Sequence, residues 1–79
     1  MNNLERLKNA FAQALHLSAD KISDDLQYNS IPEWDSIAHM ALIAEIETTF
    51  DIMMDTNDVI DMSSFRKARE ILTKYSIEI

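Results

Sequence analysis

The sequence contains no cysteine, no glycine and a single proline, Pro32. Without cysteine there are no disulfides, no thiolate metal sites and no thiol nucleophile. Without glycine there is no Gly-rich phosphate loop, and tight hairpins are disfavoured because nothing supplies a positive φ cheaply. Bases are also scarce: 7 Lys and Arg stand against 14 Asp and Glu, a formal net charge of −7. That deficit argues against nucleic acid, whose binding needs basic side chains to displace phosphate counterions. It argues equally against docking on anionic membranes. The longest apolar run, Met40-Ala41-Leu42-Ile43-Ala44, is far too short to span a bilayer. The first residues, Met1-Asn2-Asn3-Leu4-Glu5-Arg6, lack the apolar stretch of a signal peptide, and the expected setting is the cytoplasm.

What remains describes one small globular domain covering 1–79, with 47% hydrophobic and 27% charged residues. A chain of this length buries only about 60–65% of its unfolded surface, so its core is thin and a large walled active site is not expected.

Apolar spacing predicts helices throughout. Leu4, Leu7, Phe11 and Leu15 form one helical stripe, and Asn2 or Asn3 can cap a helix running from about residue 3 to 16. A Ser-, Asp- and Asn-rich segment, 18–35, reads as a long first loop, with Ile22 and Leu26 available to pin it to the core. Asp35 is a good N-cap for a second helix beginning at Ser36. Met40, Ile43, Ile46 and Phe50 follow a helical period there, and Ile37, Leu42 and Ala44 widen the apolar arc to most of the surface. Such a helix is expected to sit centrally, between neighbours, with Ala38, Glu45 and Thr49 on its remaining face. A short helix capped by Asp55 or Thr56 should follow. Ser63 or Ser64 can cap a last one carrying Phe65, Ala68, Leu72 and Tyr75. The expected fold is all-α, a small four-helix bundle with a long first loop and a short third helix.

Charge is uneven along the chain. Residues 20–61 hold 11 acids and one base, Lys21, whereas the last helix carries Arg66, Lys67, Arg69 and Lys74. An acidic stretch serves solubility and also speeds encounter with basic partners.

The informative segment is Pro32-Glu33-Trp34-Asp35-Ser36-Ile37. It puts a serine hydroxyl on the first turn of the most hydrophobic helix, directly after an acidic cap. The dipole and unpaired amides at such a terminus favour an anion, including a phosphodiester on that serine. Taken alone, an Asp-Ser pair at a helix start reads as ordinary capping. Asp35-Ser36-Ile37, opening a helix that ends Glu45-Ile46-Glu47-Thr48-Thr49-Phe50-Asp51, resembles the acyl carrier proteins, small acidic four-helix bundles with Asp-Ser-Leu at the start of their second helix. The resemblance covers nearly the whole chain.

It implies that Ser36 carries 4′-phosphopantetheine, installed from coenzyme A by a phosphopantetheinyl transferase that reads Asp35. The arm's thiol would then carry acyl groups as thioesters to acyl-loading and acyl-processing enzymes of fatty-acid, polyketide or other specialised biosynthesis. On this reading the chain is a carrier and not an enzyme, and a monomer. By analogy with the family's second and third helices, Glu45, Glu47, Asp55, Asp58 and Asp61 are the expected partner contacts. Met40, Ile43, Met54, Ile60 and Met62 are the expected lining for an acyl chain, although methionines also serve simply to fill gaps in a thin core, Met53 among them.

Pro32-Glu33-Trp34 stands where fatty-acid carriers have Leu-Gly before the motif, and His16 stands near the family's usual glycine after the first helix. Trp-Asp-Ser with the following His39-Met40 looks more like a stand-alone carrier of a secondary or surface-polymer pathway. Peptidyl carriers show glycines that are missing here, though an aminoacyl cargo stays open. The alternative of another class is an unmodified acidic helical adaptor for a basic partner, which would have no need of Ser36. Asp35, Ser36 and His39 do not form a hydrolytic triad, since Asp35 precedes the serine and no glycine loop offers an oxyanion hole. His39 is expected beside the core or the arm, and Trp34 to anchor the long loop. Asp51, Asp55, Asn57, Asp58 and Asp61 lack the glycine and the terminal glutamate of a calcium loop, so no metal is expected.

Overall fold

The structure is a computed structural model and describes residues 2–79. It contains α1 (Asn3–Leu15), a single 3-10 turn (Ala19–Lys21), α2 (Ser36–Phe50), α3 (Thr56–Asp61) and α4 (Phe65–Thr73), with no extended strand among the described residues. This is the all-α bundle expected, with its long first loop and short third helix.

Each start is fixed by a local cap. The side chain of Asn2 accepts from the Glu5 amide, Asp35 from Ala38, and Ser64 from Lys67. Each satisfies an amide that the helix cannot satisfy itself. Asp55 caps α3 more loosely, at 3.5 Å from the Asn57 amide.

The ends of α1 and α2 are less comfortable. His16 and Asp51 take the left-handed conformation, with φ of 57° and 54°. Glycine normally occupies such positions, and this chain has none. The expectation that His16 replaces a glycine therefore has a backbone counterpart.

One core is built from Leu7, Phe11 and Leu15 of α1, Leu42, Ile43 and Ile46 of α2, and Phe65, Ala68, Ile71 and Leu72 of α4. Ile22 and Leu26 pin the long loop to it, and Trp34 is fully buried, edge-on to Phe11 with ring centroids 5.4 Å apart. Backbone bonds from Tyr28 N to Ser63 O (2.8 Å) and from Phe65 N to Leu26 O (3.0 Å) clamp the loop onto the junction before α4. Tyr75 lies just past the end of α4 rather than on it.

The placement of α2 corrects an expectation. It is not surrounded on most sides. Leu42, Ile43 and Ile46 face the core, flanked by half-buried Ala38, Glu45 and Thr49, which are therefore not its solvent face. Ile37, Met40, Ala41, Ala44 and Thr48 are exposed instead. Both faces of this helix are apolar, so hydropathy gave it no direction, and a 79-residue chain has too few elements to cover both. Of the methionines taken as core filler, Met54 and Met62 are buried, whereas Met40 and Met53 are exposed.

Candidate functional site at the head of α2

Ser36 is the first residue of α2 and is exposed. The Asp35 carboxylate turns back to take the Ala38 amide at 2.8 Å, and the helical ladder begins with His39 N to Asp35 O, also 2.8 Å. The amides of Ser36 and Ile37 thus precede the ladder at the positive end of a 15-residue helix. A phosphodiester on the serine fits that position, because the field there favours negative charge and nothing covers the hydroxyl.

Beside Ser36 opens a cleft of about 380 Å³. Met40 of α2, Val59 and Ile60 of α3, and Met62 give it apolar walls, while Tyr28, His39 and Ser63 complete it. Three of the five residues expected to line an acyl site, Met40, Ile60 and Met62, therefore meet around Ser36. Ile43 and Met54 do not line it: they are core residues. Tyr28, Val59 and Ser63 escaped the sequence reading: Tyr28 and Ser63 reach the cleft from the clamped loop and the junction before α4, and Val59 from a six-residue helix too short to show a period. A larger depression of about 600 Å³, lined by Asp24, Arg66, Arg69 and Glu70 among others, lies on α4 and shares no residue with this cleft.

His39 sits half-buried at one wall. Its Nδ1 accepts from Trp34 Nε1 at 3.0 Å, and its Nε2 is 2.8 Å from the Val59 carbonyl. An indole N–H can only donate and a carbonyl can only accept, so the ring is the neutral form with its proton on Nε2. Both nitrogens are committed. With the Asp35 carboxylate committed to a helix cap as well, the Asp-Ser-His set has neither a base nor an orienting acid for hydrolysis.

The acids expected to meet partners fall into three kinds. Asp55 and Asp61 are exposed. Glu45 and Glu47 are half-buried, and Glu47 Oε2 accepts from the Met54 amide at 2.8 Å. Asp58 is a correction: it is only 4% exposed, covered by the side chains that bond to it. Lys74 Nζ donates to it at 2.6 Å and the Tyr75 hydroxyl at 2.7 Å. These two donors hold its carboxyl below the usual carboxylate range. The Tyr75 oxygen also accepts from Asp55 N at 2.8 Å, so α3 is fastened to the end of α4.

A family model described as the phosphopantetheine attachment site matches residues 5–71. The chain belongs to this family. The matched span contains all four helices apart from the tips of α1 and α4. As a phosphopantetheine-attachment domain it is a site for covalent 4′-phosphopantetheine, and its role is that of a carrier working with a transferase and biosynthetic enzymes. Such domains are not themselves catalytic. No curated protein matches the chain significantly. Among the described residues, no helix is long and apolar enough to cross a membrane, and no group of three or more His, Asp or Glu is placed to hold a metal.

Proposed function

We propose that the domain is an acyl carrier whose arm is attached at Ser36. The observation that carries the reading is an exposed serine at the first position of α2, inside the family-matched span and at the rim of an apolar cleft. In the loading step Ser36 Oγ attacks a coenzyme A phosphorus held by the transferase. The phosphoanhydride bond breaks, the adenosine bisphosphate leaves, and the serine proton passes to the transferase. The arm, once bound, supplies a thiol that carries acyl groups as thioesters. Asp35 has two roles here: it caps α2, which fixes the serine's position, and it offers the transferase an acidic neighbour.

The cargo class follows from the cleft. Met40, Val59, Ile60 and Met62 suit an alkyl or acyl chain better than a charged aminoacyl group. Partners meet the exposed acids Asp55 and Asp61 together with the exposed parts of Glu45 and Glu47, and steering by these charges weakens with salt. Asp58 is no part of that surface. We place the carrier in the cytoplasm as a monomer, its net charge of −7 opposing self-association. Intact mass after incubation with coenzyme A, Mg²⁺ and a broad-specificity transferase tests the reading. One phosphopantetheine should be gained by the wild type and none by Ser36→Ala. A folded wild type that gains nothing would favour the unmodified adaptor.

A further inference from the structure

We propose that His39 is a positioning residue that holds α3 in register with the head of α2, so that both helices present one surface around Ser36. This rests on the reading of Ser36 as the attachment site.

The Val59 carbonyl lies in the last turn of α3, where a helix leaves carbonyls without partners. The amide four residues on, Ser63 N, would be its helical donor but bonds to Asp61 O at 2.8 Å. The His39 ring fills the vacancy at 2.8 Å. Among the described residues, no other side chain of α2 hydrogen-bonds to α3. The ties from Asp58 to Lys74 and Tyr75 fasten α3 to α4 instead.

The ring is itself held on three sides. Trp34 donates to Nδ1 edge to edge, the two rings nearly coplanar with centroids 6.0 Å apart and planes 21° from parallel. Tyr28 meets it edge-on at 5.4 Å. Trp34 is fully buried, so the strut is anchored in the core at one end and grips the α3 backbone at the other.

What this strut holds in place is next to Val59 in sequence. Ile60 is 73% exposed and Met40, one residue after His39, is 62% exposed. Both line the cleft that Ser36 shares. Ile37, directly after Ser36, is 80% exposed. An enzyme acting on Ser36 therefore meets apolar side chains from two helices, and their spacing depends on the distance that the His39–Val59 bond fixes. Ser36 belongs to α2 and stays put when that bond is lost. The cost should then fall on docking and spare the chemical step.

Two half-replacements separate the bonds. An asparagine oxygen can stand where Nδ1 stands, keeping the Trp34 partner but not reaching Val59. A glutamine amide reaches as far as Nε2 and can keep the Val59 partner. His39→Phe keeps the ring and loses both. The assay is transferase loading of each apo protein with coenzyme A, reading kcat and KM separately. Three measurements accompany it: a thermal melt, amide exchange in α3, and the indole N–H resonance of the chain's single tryptophan.

His39→Gln should stay within about twofold of wild type, while His39→Asn and His39→Phe should raise KM about three- to tenfold at nearly constant kcat, the worth of one net hydrogen bond. Amide exchange in α3 should quicken in the same two variants, while the indole N–H resonance keeps the downfield position of a hydrogen-bonded proton in His39→Asn and moves upfield in His39→Phe. Equal KM in all four proteins would overturn the proposal, as would His39→Asn behaving like wild type while His39→Gln does not. If the wild type takes no arm, the Ser36 reading fails. The strut is then judged by exchange alone, and unchanged α3 exchange in His39→Asn and His39→Phe would overturn it too.

Discussion

A glycine introduced at either of two helix ends should stabilise this domain. His16 and Asp51 follow α1 and α2 with φ of 57° and 54°. At each, the cap amide and the next amide return to the helix: Leu17 N reaches Ala12 O at 3.0 Å and Ile52 N reaches Glu47 O at 3.1 Å. Glycine preserves these bonds. A side-chain-bearing residue in the left-handed region costs about 1–2 kcal/mol, and glycine returns about 0.4–1 kcal/mol of that as extra freedom in the unfolded chain. The net gain is about 0.5–1 kcal/mol for His16→Gly. Aspartate tolerates the conformation better than histidine, so relief at residue 51 is smaller. However, Asp51→Gly also removes a negative charge from the negative end of α2, worth about 0.3–1 kcal/mol. About 1 kcal/mol raises the Tm of a domain this size by roughly 4–8 °C. Both residues are exposed and end different helices, so the gains should add within about 0.5 kcal/mol. Thermal melts followed by circular dichroism, with urea midpoints at constant slope, measure this. An unchanged or lowered Tm in both single variants would refute the reasoning. It would mean that the histidine and aspartate side chains stabilise these ends by more than their backbone costs.

Three further outcomes follow from the contacts. Asp58→Asn and Tyr75→Phe should each lower Tm, because each breaks the tie between α3 and α4. The folded carboxyl of Asp58 titrates below its unfolded value, so its contribution is present above the ordinary carboxylate range and is lost as pH falls through the lowered value. The Tm difference between wild type and Asp58→Asn should therefore shrink towards acid pH, and a constant difference would contradict the assignment. Glu47→Gln should change stability by less than about 1 kcal/mol, since an amide oxygen can still accept from Met54 N, whereas Glu47→Lys loses that bond and should cost about 1–2 kcal/mol; equal urea midpoints would contradict this. Ile37→Asp should leave Tm within about 3 °C of wild type, its side chain being 80% exposed, yet raise the transferase KM; an unchanged KM would remove the apolar face of α2 from the docking surface.

The sequence was most legible where a local rule acts alone. Asp35 was readable as a cap, and two other starts were readable to within one residue, Asn2 or Asn3 and Ser63 or Ser64, because a side chain of that type ahead of an apolar period has one cheap thing to do. The loop anchors Ile22 and Leu26 were readable because isolated apolar residues in a polar stretch must go somewhere. The orientation of α2 was not readable, since apolar residues occupy both of its faces and only tertiary packing chooses between them. Asp58 was misread for a related reason. Its partners Lys74 and Tyr75 lie 16 and 17 residues away, and nothing local distinguishes it from exposed Asp55 and Asp61. His39 was legible as a residue beside the core, but its two bonds required the positions of a loop indole and of a helix-end carbonyl.

We propose that the arm sits on Ser36 and nowhere else. Fragment mass spectrometry of protein loaded from coenzyme A is the sharpest test, because Ser63 lines the same cleft and offers a competing hydroxyl. Phosphopantetheine is expected on the fragment bearing Ser36 alone, with none on fragments bearing Ser63 or Ser64. An arm on Ser63, or none on a folded chain, would contradict it.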